Sequence, residues 1–262
     1  MPRANRHYIP GCIWHITHRC HKQEFLLKFE KDKKRWLYWL FEAKKRYGLC
    51  VLNYIVTSNH IHLLVVDTKE KTISKSIQLI AGRTAQEFNT RKNRKGSFWE
   101  DRYHATAVDT DSHLAKCMVY IDLNMVRAGV ASHPSEYKHS GFNEIQNPPK
   151  RYGIINRQML LKYFSLPNED RLRIEHRNWV TVELRNNDLT QNQDWSESIA
   201  VGRKSFTTII QQQLASRAQQ RTMTSISGTT VLKEPTTPYS TVFDREKEGL
   251  SSKNSYFWRK NV

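Results

Sequence analysis

Between residues 11 and 108 the apolar positions change period in one fixed succession, and that succession restricts the fold more than any other feature of the chain. The segment 11–19, G-C-I-W-H-I-T-H-R, alternates with the period of two of a strand. Over 30–47, Trp36, Leu37, Leu40 and Phe41 share one side at helical spacing, and Gly48 supplies the stop. Two apolar, β-branched runs follow, 49–56 and 60–66, separated by the turn-forming T-S-N, which predicts a hairpin. A helix over 72–89 carries Ile73, Ile77, Ile80 and Phe88 as its apolar positions, and after the basic loop R-K-N-R-K-G the chain returns as a strand over 98–108. The order β-α-β-β-α-β is that of the split βαβ unit, an antiparallel sheet with both helices on one face. The predicted fold is therefore α+β and ferredoxin-like.

Asp111 or Ser112 caps one further helix, predicted to run to about Ala128 with Gly129 as its stop. Beyond Pro148-Pro149 the character changes, and helix-like stretches over 157–164, 169–183 and 205–221 predict a helical C-terminal extension. From 222 the chain is rich in Ser, Thr, Lys and Glu, a composition too poor in apolar surface to order itself alone. The expected organisation is thus 1–147, an extension over 148–221, and a flexible tail over 222–262.

Charge narrows the partner. Lys and Arg number 42 against 25 Asp and Glu, a net +17, and residues 1–48 hold 12 of the basic and 4 of the acidic residues. A field of that sign favours a polyanion, with nucleic acid ahead of a membrane surface or a merely solvated basic face. Cys12, Cys20, Cys50 and Cys117 form no C-x-x-C pair, so no zinc knuckle or thioredoxin-type motif is available and reduced thiols are expected. The start, M-P-R-A-N-R-H-Y-I-P-G-C-I-W, has no apolar signal region, and no run approaches the ~18 apolar residues of a membrane span. A soluble, cytoplasmic protein without membrane contact is the expectation.

Two places carry chemistry. His60-Ile61-His62 lies on a predicted strand, where alternation puts both imidazoles on one face, as a pair of metal ligands requires. An H-x-H is by itself commonplace. In the last helix, Leu114, Cys117, Met118, Ile121 and Met125 form the apolar stripe, and Tyr120, Asn124 and Arg127 make a polar ridge beside it. Each could simply flank a core or satisfy carbonyls near a helix end. A helix packed on the sheet could instead turn that ridge toward the histidines, adding a third ligand and a nucleophile to them.

With both motifs in hand, the chain resembles a known family. S-N-H-I-H-L-L looks like the HUH motif of single-tyrosine transposases, and V-Y-I-D-L-N-M-V-R-A-G-V looks like their catalytic-tyrosine helix in the form of the REP-associated branch. G-S-F-W-E-D-R-Y-H-A, with Trp99, Arg102 and Tyr103, is similar to the segment between them. The resemblance covers about residues 7–145. Ser58 stands where Pro often precedes the N-H-x-H, and Met125 where Pro often follows the Asn; neither change removes a chemical group.

The resemblance implies a single-stranded DNA endonuclease and strand transferase acting on hairpins such as repetitive extragenic palindromes. His60, His62 and Asn124 would hold Mg²⁺ or Mn²⁺, and Tyr120 would form a 5′-phosphotyrosine. Arg83, Lys92, Arg94, Lys95, Arg102 and Arg127 are candidates for DNA contact, and Trp14, Trp99 and Tyr103 for stacking on unpaired bases or, alternatively, for the core. Two rival readings stay open: a hairpin-binding protein that no longer cleaves, and a metal-dependent phosphoesterase using activated water. A bacterial, nucleoid-associated monomer is expected, with the dimer of compact relatives as the alternative.

Overall fold

The computed structural model describes residues 9–186, 194–214, 222–226 and 228–233. Strand β1, Ile13–Arg19, is followed by helix α1, Glu30–Tyr47, strands β2, Cys50–Val56, and β3, His60–Val66, helix α2, Thr72–Arg91, and strand β4, His104–Val108. These strands lie in the order β2-β3-β1-β4 with every neighbouring pair antiparallel. That is the ferredoxin-like arrangement the apolar periods predict. Gly48, at φ 71°, ends α1 as expected, with its N–H on the Lys44 carbonyl at 2.9 Å.

The strand predicted over 98–108 is shorter. Phe98 is fully buried against Phe88, and the Trp99 indole donates to the Ala81 carbonyl at 3.0 Å. Both side chains are thus anchored on α2, while their backbone still meets the end of β1 through the Cys20–Trp99 bridge, with Glu100 N–H on the Arg19 carbonyl at 3.0 Å; the regular β4 ladder begins at His104.

Helix α3, Ser112–Asp122, and the short α4, Asn124–Arg127, replace the single helix expected to about 128. Leu123, with ψ near 1°, separates them, but its N–H still reaches Val119 and its carbonyl still accepts from Arg127, both at 2.9 Å. Helical hydrogen bonds thus continue through the junction. Gly129 closes the element at φ 67°. After α5, Gly141–Gln146, and α6, Arg157–Tyr163, comes α7, Glu169–Asn186, which packs against α3.

The remainder departs from expectation. Past α8, Asp194–Glu197, strand β5, Ala200–Gly202, adds parallel to β4; α9, Lys204–Gln213, then leads to β6, Thr222–Ile226, and β7, Thr229–Lys233. The sheet is extended to β2-β3-β1-β4-β5-β7-β6. This corrects both the purely helical extension and the tail beginning at 222. The Thr-rich segments pair antiparallel, Met223 opposite Leu232 and Thr224 opposite Val231, and Gly228, at φ 80°, supplies the left-handed turn between them. Residues 215–221 of the expected last helix and 234–262 of the expected tail lie outside the described residues.

One continuous apolar core joins residues on both sides of the expected boundary at 147, from Ile16, Leu63 and Met118 to Ile155, Leu160, Trp195, Val201 and Leu232. All four cysteines are free and buried. Among the described residues, no helix is long and apolar enough to cross a membrane.

Candidate active site

Strand β3 places His60 and His62 on one face, while the intervening Ile61 and the following Leu63 are buried in the core. The turn before β3 is tightly held. Leu27 N–H donates to the Ser58 carbonyl at 2.9 Å, Cys20 N–H to that of Asn59 at 2.7 Å, and Thr57 Oγ1 accepts from His60 N at 3.1 Å. His60 Nδ1 meets Asn59 Oδ1 at 2.7 Å, and since an amide oxygen only accepts, the ring proton sits on Nδ1 and Nε2 keeps its lone pair.

His62 is fixed from a different side. Its Nδ1 lies 2.9 Å from Nε2 of His15, a β1 residue diagonal to it across the ladder, and Asn124 Nδ2 meets its Nε2 at 3.1 Å. The two rings are stacked at 5.0 Å with a 16° interplanar angle. His60 and His62 are edge to face at 5.0 Å.

Tyr120 comes down from α3 onto this cluster. Its ring lies 5.7 Å from that of His62 and 5.9 Å from that of His15, and the Arg127 guanidinium sits over it at 4.3 Å. Arg127 also donates to the Tyr120 carbonyl, one helical ridge bonding along itself. Trp195 of α8 closes the far side, 6.5 Å from the Tyr120 ring.

Burial keeps the imidazoles uncharged. It pushes His60 down to about 4, with Arg19 adding to the effect, pushes His15 to about 4, and holds His62 well below the ordinary histidine value. Neutral rings with an unprotonated nitrogen are what a divalent ion needs. Among the described residues no group of three His, Cys, Asp or Glu side chains is placed to hold a metal ion, and the polar side chain that meets His62 Nε2 is the Asn124 amide. Turned over, that amide presents Oδ1 beside His62 Nε2. Two imidazoles and one amide oxygen fit Mn²⁺ or Mg²⁺ that retains water, since such ions rarely take all-protein cages.

The other candidates are dispersed. Arg83 lies over the Trp39 ring at 5.5 Å, in the α1–α2 layer, and Lys92 reaches the Phe29 ring at 5.4 Å. Arg94 is tied to the Ser97 carbonyl at 2.9 Å, whereas Lys95 and Arg102 are exposed. Trp99 is buried, stacked on His18 at 4.1 Å, and Trp14 is buried as well, so both belong to the core and offer no face to a base. Tyr103 is partly buried and packs against the core.

Sequence reasoning missed His15 and Trp195. The signal for His15 was present, because its place in the alternating I-W-H-I-T-H-R puts it on the opposite face from His18 and on the face that looks toward α3. Nothing in the sequence points to Trp195, whose place depends on how the extension folds back.

Residues 8–124, a little under half of the chain, match the family model described as IS200-like transposase, in agreement with the resemblance read from the motifs. A solved REP-associated tyrosine transposase bound to a REP hairpin is similar at 18% identity, covering 60% of this chain and 94% of that one with a TM-score of 0.47. A protein from Deinococcus radiodurans R1 described as a transposase is similar at 14% identity, covering 48% and 95%, with a TM-score of 0.33. No curated protein matches the chain.

Proposed function

We propose that this chain, whose residues 8–124 match the IS200-like transposases, cuts and rejoins single-stranded DNA beside a hairpin through a covalent bond to Tyr120. The observation that best supports the reading is the meeting of two strand histidines with a tyrosine from α3 and an asparagine from α4 in one cluster. The hairpin, of the repetitive extragenic palindrome type, is inferred from the Y-I-x-L-N-x-V-R-A form of that helix. We infer that the protein acts as a monomer, as resemblance to the REP-associated branch implies.

A phosphodiester resists attack because the nucleophile approaches an anion and an alkoxide must leave. A divalent ion, when held by His60, His62 and Asn124, supplies Lewis-acid polarisation of the scissile phosphate. The chain's own groups do the rest. Tyr120 Oη attacks phosphorus, the bond to the 3′ oxygen breaks, and the strand divides into a 5′-phosphotyrosine and a free 3′-hydroxyl; reversal by another 3′-hydroxyl rejoins it without ATP. Arg127 holds positive charge over the Tyr120 ring, and the exposed Arg19, Lys95 and Arg102 offer charge to the DNA backbone.

An end-labelled hairpin oligonucleotide incubated with Mg²⁺ or Mn²⁺ tests this. A covalent protein–DNA adduct is expected with the wild-type chain and none with Tyr120→Phe. Cleavage that survives the substitution would instead establish attack by activated water, and hairpin binding without cleavage a pure binding protein.

A further inference from the structure

The site holds a third imidazole that the metal reading does not use. His15 is completely buried, and its Nδ1 lies 2.7 Å from the backbone carbonyl of Trp195, 180 residues further along the chain. A carbonyl oxygen can only accept, so Nδ1 of His15 carries its proton. With no charge on the buried ring, Nε2 of His15 is then an acceptor. The only hydrogen available for the 2.9 Å contact to His62 is the one on His62 Nδ1. His62 is thereby left with its lone pair on Nε2, the nitrogen that faces Asn124.

We propose that His15 is a positioning residue: oriented by the Trp195 carbonyl, it fixes the tautomer and plane of His62 so that Nε2 is presented to the metal. The chain carries the remote end of this relay on its C-terminal extension, which makes the extension part of the active site. That end is firmly held. His104 and Thr106 of β4 both donate to the Ser198 carbonyl, at 2.9 and 2.7 Å, Ile199 pairs with β4 on one side and β7 on the other, and Lys233 of β7 bonds Asp194 at 2.7 Å. A ligand histidine whose second nitrogen is hydrogen-bonded binds metal more tightly, because its ring no longer has to be oriented at the moment of binding; loss of such a partner lowers affinity by about 10- to 100-fold.

The proposal rests on the metal reading above, and the experiment separates the two. In the metal-free wild-type protein, ¹⁵N spectra of the histidines are expected to show His62 protonated at Nδ1 and bare at Nε2. Mn²⁺ titration without DNA is expected to show affinity lower by about 10- to 100-fold in His15→Phe and most of it restored in His15→Gln, whose amide oxygen can still accept from His62. A His62 protonated at Nε2 in the wild type overturns the proposal, as does unchanged affinity in His15→Phe. If that variant does not fold, the wild-type tautomer and the glutamine variant decide, and a glutamine variant that folds but has lost metal affinity shows that His15 is merely packed there. A wild type that takes up no Mn²⁺ defeats the metal reading, while its His62 tautomer still decides the role of His15.

Discussion

At the scale of residues, the sheet carries an unusual load of buried, neutral imidazole, and this makes stability depend on pH. His18 is the cleanest case because it lies on the α2 face, away from the candidate ligands, stacked on Trp99 with Nε2 on the Asp101 carbonyl at 2.9 Å. Burial lowers it to about 4, with that carbonyl working in the opposite direction. Because the folded value lies below the unfolded one near 6.5, the unfolded chain gains the proton first as the pH falls. The stability linked to His18 is therefore intact above about pH 6.5 and lost progressively toward pH 4, by roughly 3 kcal/mol at most. Urea midpoints of the metal-free protein should fall between pH 7 and pH 5, and the slope should be shallower in His18→Gln; equal slopes would contradict the assignment. Gly141 is a second constrained position. A Cβ there would come within 2.2 Å of Asn53 Oδ1 and 3.1 Å of Tyr54 N. Asn53 cannot swing away without cost, since its amide donates to Asp122 at 3.0 Å and its oxygen accepts from Tyr54 N at 2.8 Å. Gly141→Ala should cost about 1–3 kcal/mol in urea unfolding, and a cost near zero would mean that Asn53 has another rotamer to go to.

At the scale of elements, what aims Tyr120 at the histidines is the way α3 is clamped. Asp122, on the turn after Tyr120, is fully buried and shared between two neighbours: Oδ1 accepts from Asn53 of β2, and Oδ2 meets His176 Nε2 of α7 at 2.7 Å. His176 in turn meets Gln146 of α5 at 3.1 Å, so three elements hold the helix by polar contacts inside an apolar layer. His176→Leu would leave Asp122 Oδ2 buried without its partner, and the loss should be about 3 kcal/mol or more in urea unfolding. Adduct formation should fall as well, since α3 would lose its fixed angle to the sheet; a variant as stable and active as wild type would show the pair to be dispensable. None of this clamp was legible in the sequence. The elements of the split βαβ unit were, because β1 and the two helices have periods of their own, β2 and β3 are apolar, β-branched runs, and turn signals such as Gly48 and T-S-N separate them. The ridge of Tyr120, Asn124 and Arg127 was legible for the same reason. His176 looks like any polar residue of an amphipathic helix until its partner 54 positions earlier is known. The β6–β7 hairpin was hidden by composition: its Thr and Ser read as solvent-loving, yet on the strand Thr230 is buried together with Val231 and Leu232.

At the scale of the whole molecule, the extension makes the ferredoxin-like part dependent on it. Without β5, strand β4 would be an open edge, exposing backbone groups now paired with Ile199 and Val201, such as the Ala107 and Asp109 amides at 2.8 and 3.0 Å. Val51 would lose its bridge to Ile155, and Asp109 its bonds to Arg203 at 2.7 and 2.9 Å. The apolar cluster would be cut through, since Ile154, Leu160, Leu172, Trp195 and Val201 all pack in the same core as the βαββαβ sheet. A chain ending at residue 147 is therefore expected to lack a cooperative thermal transition and to give collapsed amide proton spectra, although it contains every residue of the family match. It should also take up no Mn²⁺ at concentrations that saturate the full chain, because His15 loses the carbonyl that orients it and α3 loses α7. A truncated chain that melts cooperatively and binds Mn²⁺ like the full one would show that the extension is only an attachment, and that the fold read from residues 11–108 is sufficient alone.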